Sequence, residues 1–132
     1  MGYSFTFDPP SDYAVSGCAF NNWQMNYVRL VLVEAGAITG DGLSAALSAP
    51  GLETTPDTLA AGTFMSNGGA HVTAAQASFI ADRLRRAVAE GIVGDLLSFF
   101  DDAPSSTEVR GWVDEFAAFN ELAASRDGYY VC

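Results

Sequence analysis

Lysine is missing from this chain altogether, and histidine occurs once, at His71. All six basic residues are arginine, set against sixteen Asp and Glu, for a formal charge of -10. A field of that sign repels phosphate backbones, and binding through counterion release needs clustered cations. The nearest approach to a cluster is Arg83, Arg85 and Arg86, and helical spacing spreads those three around an axis. Direct nucleic-acid binding and adsorption to anionic lipid are therefore not expected, whereas a basic protein partner is. Two origins fit arginine without lysine: codon bias in a GC-rich bacterial or phage genome, which we favour, and selection against lysine itself.

Other shortages narrow the chemistry further. The two cysteines, Cys18 and Cys132, have no metal-ligand spacing, and with a single histidine they form no zinc quartet of neighbouring residues. "TGDG" lacks the oxygen-ligand series of a calcium loop, and no Gly-x-Ser-x-Gly nucleophile motif occurs. No metal or cofactor is expected. No apolar run approaches the roughly 18 residues of a membrane span, and "MGYSFTFDPP" has no basic export region. The expectation is a protein of the cytoplasm without membrane attachment. "MGYSFT" also fits the loose myristoylation pattern at Gly2, but Tyr3 and Phe5 are better explained as strand residues. In a reducing compartment the two cysteines default to thiols. A bridge between them would close nearly the whole chain and contribute about 4–5 kcal/mol by loop entropy.

What the chain does have is core material. It has 132 residues, of which 49% are hydrophobic and nine are Phe. A chain of that size buries about two thirds of its unfolded surface. Repeats, linkers and low-complexity stretches are absent, so residues 1–132 are expected to form a single domain.

"YSFTF" alternates aromatic and β-branched residues with polar ones, which predicts a strand at 3–7, broken by "DPPSD". "NNWQMNYVRLVLVEAG" carries many β-branched residues, yet its length, an Asn cap and Gly36 as a stop predict a helix. That helix is apolar on most sides, so it belongs in the core, with Trp23 and Tyr27 inside it. A short helix is expected near 41–48, followed by a mostly irregular segment with one turn at 56–61. Thr73 and Gln76 form a capping-box pattern ahead of a helix burying Ala77, Ile80, Ala81, Leu84, Ala87 and Val88. After Gly91, a second stripe holds Ile92, Leu96, Phe99 and Phe100. Ser105 and Glu108 repeat the capping pattern before a helix with Trp112, Phe116, Phe119 and Ala123 on one face. "RDGYYVC" predicts a turn and a last strand. The fold class that results is mainly α (α+β): a bundle of about four helices whose short N- and C-terminal strands pair.

Three stretches carry a resemblance: "FNNWQMNYVRLVL", "SNGGAHVTAAQASFIADRLRRAV" and "WVDEFAAFNELAASRDGYYVC". Together they resemble a family of small uncharacterised bacterial proteins, mostly actinobacterial. Its pattern is an Asn-Trp helix, an Asn-Gly loop before an amphipathic helix, and a terminal Gly-aromatic-Cys strand. The sequence departs from that pattern at Gln24 and Met25, where relatives often carry Gly-Trp-Arg. It departs again at Gly69 and Ala70, which replace a more acidic loop. The family has no assigned activity, so the resemblance implies the helical fold and no catalytic residue.

Four candidate sites follow from residue type. The loop Asn67-Gly68-Gly69 with His71 precedes a helix start, where backbone N–H groups can hold an anion. The competing reading is a turn with positive φ followed by the Thr73 cap, and we favour it because no lysine or longer glycine pattern accompanies the loop. Cys18 with His71 as base, oriented by Asp8 or Asp12, would be a thiol nucleophile. The competing reading makes Cys18 a small buried hydrophobe. "NNWQMNY" offers a stacking ring and paired amides to a sugar or nucleobase, against a structural role for both. The carboxylate pairs Asp101-Asp102 and Asp114-Glu115 either face water or face a basic partner. The expected function is that of a small acidic interaction protein: an inhibitor, immunity-type protein or regulatory partner. The alternative is an enzyme or ligand-binding protein centred on Gly68, Gly69 and His71 near Cys18, and a catalytic role is the less favoured of the two.

Overall fold

A computed structural model describes residues 2–7, 18–39, 52–65 and 68–132. The helix expected near 41–48, and with it Asp8, Asp12 and Asn67, lies outside the described residues. The turn expected at 56–61 is found at Pro56 and Asp57, and a 3-10 helix follows at Ala61–Phe64.

Strand β1 (Gly2–Phe7) buries Tyr3, Phe5 and Phe7 and exposes Ser4 and Thr6, as its alternation requires. Strand β4 (Tyr129–Val131) pairs with it antiparallel, Phe5 opposite Val131 and Phe7 opposite Tyr129, so the chain ends do meet. Ser4 and Cys132 extend the ladder by exchanging backbone hydrogen bonds of 2.8 and 2.7 Å.

The sheet is larger than two strands, however. Strand β2 (Cys18–Asn21) joins the free edge of β1, and β3 (Ala70–Val72) joins the free edge of β4, giving the order β2-β1-β4-β3. Four and three residues are too few for an alternation signal, and both strands exist only through long-range pairing. The helices therefore cover one face of a sheet, and the other face carries Ser4, Thr6, Ala19, His71, Tyr130 and Cys132 to the outside.

Helix α1 (Asn22–Glu34) opens with a full capping box: Asn21 accepts from the Gln24 N–H at 2.8 Å while Gln24 accepts from the Asn21 N–H at 3.0 Å. It ends in a Schellman motif. Gly36, at φ +72°, donates to the Val33 carbonyl, and Ala37 donates to that of Leu32. Helix α2 (Ala74–Ala89) has the Thr73–Gln76 box and buries the expected face, with Val88 only partly covered. Gly91, at φ +75°, separates it from α3 (Ile92–Leu97). Helix α4 (Ser106–Ala124) packs along α2 and buries Val109, Val113, Phe116, Phe119 and Ala123 beneath the sheet. Its cap is half of the expected box: Ser105 accepts from the Glu108 N–H at 3.1 Å, without the reciprocal arm found in α1 and α2.

Phe5 lies at the centre of the core, its ring 4.8 Å from Phe116 and within reach of Phe20, Phe64, Phe119 and Tyr129. Tyr129 and Asn120 bring polar groups into it that are hydrogen-bonded to each other and to the backbone. The Tyr129 hydroxyl donates to Asn120 Oδ1 at 2.8 Å, and Asn120 Nδ2 donates to the Phe116 carbonyl at 2.8 Å. Arg83 is buried as well. Its Nη1 donates to the Glu53 carbonyl at 2.8 Å, and its guanidinium lies over the Phe79 ring.

Candidate functional site

The glycine-histidine loop is taken up by the sheet. Gly69, at φ +93°, donates its N–H to the Val131 carbonyl at 2.8 Å, and Ala70 to Val72 continue as β3. Three extended residues thus separate Gly69 from Thr73, whose hydroxyl caps α2 by accepting from the Gln76 N–H at 3.1 Å. A strand stands between the glycine backbone and the helix N-terminus, and Gly69 has the positive φ and Thr73 the cap of the turn reading, while Asn67 lies outside the described residues. His71 lies on the outer face of the sheet, its ring 4.7 Å from that of Tyr130.

Nor do Cys18 and His71 meet. Cys18, Phe5, Val131 and Ala70 form one row across four strands, which places β2 and β3 about 14 Å apart at three strand spacings. Cys18 also faces inward and His71 outward. The same argument separates the two cysteines. Cys132 sits on the outer face beside Ser4, two strands from β2, so both sulfurs are free thiols.

Burial, helped by the Glu115 carboxylate and opposed by a hydrogen bond with the Ala19 backbone, pushes the Cys18 thiol from its ordinary 9.0 up to about 12. This is the reverse of an activated nucleophile. Because folding favours the thiol form, the stability it confers is complete below pH 9. That stability is lost as pH rises from 9 toward 12, by up to about 1.4 kcal/mol per pH unit. Tyr129 adds a similar loss above pH 10, since burial also raises its phenol. Two outcomes follow. At pH 8 a small aromatic disulfide should consume Cys132 and leave Cys18 intact in the native protein. Cys18→Ala should flatten the dependence of unfolding free energy on pH between 9 and 10. Equal labelling rates for the two thiols would contradict this placement.

The acidic pairs separate by position on α4. Asp114 and Glu121 turn toward α2, where Arg85 reaches them at 3.3 and 2.8 Å and holds the Glu121 carboxyl below its usual range by hydrogen bonding. Arg85 and Glu121 border a groove of about 300 Å³ lined also by Ser78 and Asp82. Asp114 is therefore engaged with its own chain. Glu115 is exposed, and its charge acts on Cys18 in β2. Asp101 and Asp102 are exposed in the turn between α3 and α4. Among the described residues, no group of three or more His, Cys, Asp or Glu is placed to hold a metal ion.

The group that sequence reasoning misplaced is aromatic. Trp23, expected in the core, is 50% exposed, and Tyr27 is only partly buried. The Trp23 ring packs edge-to-face on Trp112 at 5.6 Å and on Tyr27 at 5.8 Å, and Tyr27 continues to Phe100 at 6.2 Å. Phe100 and its neighbour Phe99, which share the second apolar stripe with Ile92 and Leu96, are 38% and 54% exposed. The cause is position: α1 begins directly after the edge strand β2, so its first turn stands at the rim of the core. Helical spacing tells which residues share a face, and only the neighbours decide whether that face is covered.

No protein-family model, curated protein or solved structure matches this chain. The functional reading rests on the residues themselves. No helix among the described residues is long and apolar enough to cross a membrane.

Proposed function

We propose that this chain is a small acidic interaction protein of the cytoplasm, of the inhibitor, immunity or regulatory kind, that recognises a basic protein through its negative exterior. What supports the reading is the way the positive charge is used up inside the molecule. Arg83 is buried on carbonyl oxygens, and Arg85 is held by two carboxylates. Arg29 donates to the Phe64 carbonyl beneath Tyr3, and Arg126 covers the Phe7 ring. Six arginines cannot balance sixteen carboxylates in any case, and these four are anchored to their own chain. The exterior is left anionic, which repels nucleic acid and accelerates encounter with a cationic surface.

Affinity capture with the tagged chain tests this. A basic protein should be retained at about 50 mM salt and released by about 500 mM, as the screening length shortens from some 13 to 4 Å. Retention indifferent to salt, or recovery of a small molecule instead, would overturn the proposal.

A further inference from the structure

Both tryptophans of the chain lie in one cluster with Tyr27 and Phe100, in which Trp23 and Phe100 are exposed and Trp112 and Tyr27 half-buried. Exposed Trp is uncommon on a monomer's surface, and Trp and Tyr dominate the residues that anchor protein interfaces. The cluster also has a rim of one sign. Asp101 and Asp102 follow Phe100 directly, while Glu108 and Glu115 stand four residues before and three after Trp112 on the same edge of α4. The carboxylate of Glu108 is not engaged by the helix cap, and the Arg85 ion pairs belong to the opposite edge of that helix. Polar recognition groups are few. Of the amides in "NNWQMN", Asn21 and Gln24 close the capping box and Asn26 accepts from Arg29, leaving Asn22. A sugar or a base would need such amides around the ring, whereas a cation needs only π faces and carboxylates.

Resting on the acidic-partner reading above, we propose that the surface of Trp23, Tyr27, Phe100 and Trp112, with Asp101, Asp102, Glu108 and Glu115 around it, docks an arginine-rich amphipathic segment of another protein. Edge-to-face contact at 5.6 to 6.2 Å leaves no gap between the rings, so this is not an enclosed cage for a small quaternary cation. The guest lies across the outside. Planar guanidinium groups stack on the half-exposed Trp23 indole and reach the carboxylates at the rim, while apolar residues of the segment cover Phe99 and Phe100.

The test titrates the full-length protein with a short amphipathic peptide of Arg and Leu, following indole emission and heat of binding. Three variants are compared with wild type: Trp23→Ala; D101N/D102N/E108Q/E115Q; and D114N/E121Q, which removes the same kind of charge elsewhere. Trp23→Ala and the four-site variant should each weaken binding about tenfold or more, with D114N/E121Q within about twofold. Circular dichroism establishes that each variant is folded.

If the three variants weaken binding equally and salt sensitivity persists, the site is wrong and the acidic-partner reading stands. If no basic peptide binds at any salt concentration, both are wrong. Two further results would also overturn the docking proposal. One is a neutral oligosaccharide that shifts the emission of wild type but not of Trp23→Ala. The other is a dimer in sedimentation that Trp23→Ala dissociates, since the surface would then belong to a second copy of this chain.

Discussion

Gly128→Ala should lower the unfolding free energy by about 3–5 kcal/mol, a large fraction of what a domain of this size possesses. Gly128 has φ +86°, and a Cβ built there would lie 1.9 Å from the Val72 carbonyl oxygen and 3.0 Å from two backbone atoms of Thr73. Two separate costs result. A left-handed conformation costs a non-glycine residue about 1–2 kcal/mol on its own. The clash is with backbone, which has no rotamer to escape into, so the β3–β4 pairing next to it must shift. Gly69→Ala separates the two costs, because Gly69 has φ +93° with nothing within 4 Å of the added Cβ. It should lose only the conformational part, about 1–2 kcal/mol. Urea unfolding followed by circular dichroism measures both. Equal losses would mean that close approach to Val72 does not matter.

Phe5→Ala should be as damaging, at about 3–5 kcal/mol, with unfolding more than about 10 °C earlier. Phe5 is 1% exposed, and five aromatic rings surround it from β2, the 3-10 helix, α4 and β4. Those rings come from four elements fixed by different contacts, so they cannot close together on the vacancy. Thr6→Ala, one residue away on the outer face, should change stability by no more than about 0.5 kcal/mol. Thermal unfolding of the pair is the measurement, and a Phe5→Ala loss below about 1 kcal/mol would show that the core relaxes around the cavity.

Signals confined to neighbouring residues were legible in advance. The alternation of Tyr3, Phe5 and Phe7, the Thr73–Gln76 box and the faces of α2 and α4 are each written within a few positions of one another. Their outcomes match because a cap or an amphipathic face is a local energy balance. Where the expectation depended on distant partners it was incomplete. Strands β2 and β3 have no local signature, so the sheet appeared as two strands rather than four. Trp23 and Tyr27 satisfy helical spacing and were therefore placed in the core, yet nothing in their own segment says whether another element arrives to cover them. The acidic residues show the same division. Asp114 and Glu115 are adjacent in the chain, and only the packing of α4 sets the first against Arg85 of α2 while the charge of the second acts on Cys18 in β2.

The chain by itself determined charge, helix ends and the inward alternation of its first strand, since each is a sum over residues or a contact between near neighbours. Tertiary structure decided that Cys18 and His71 stand on opposite faces at opposite edges of a sheet, and that two tryptophans meet at the surface. Those are relations between segments brought together by long-range pairing, and their geometry is set by strand order and helix packing rather than by any residue's own preference.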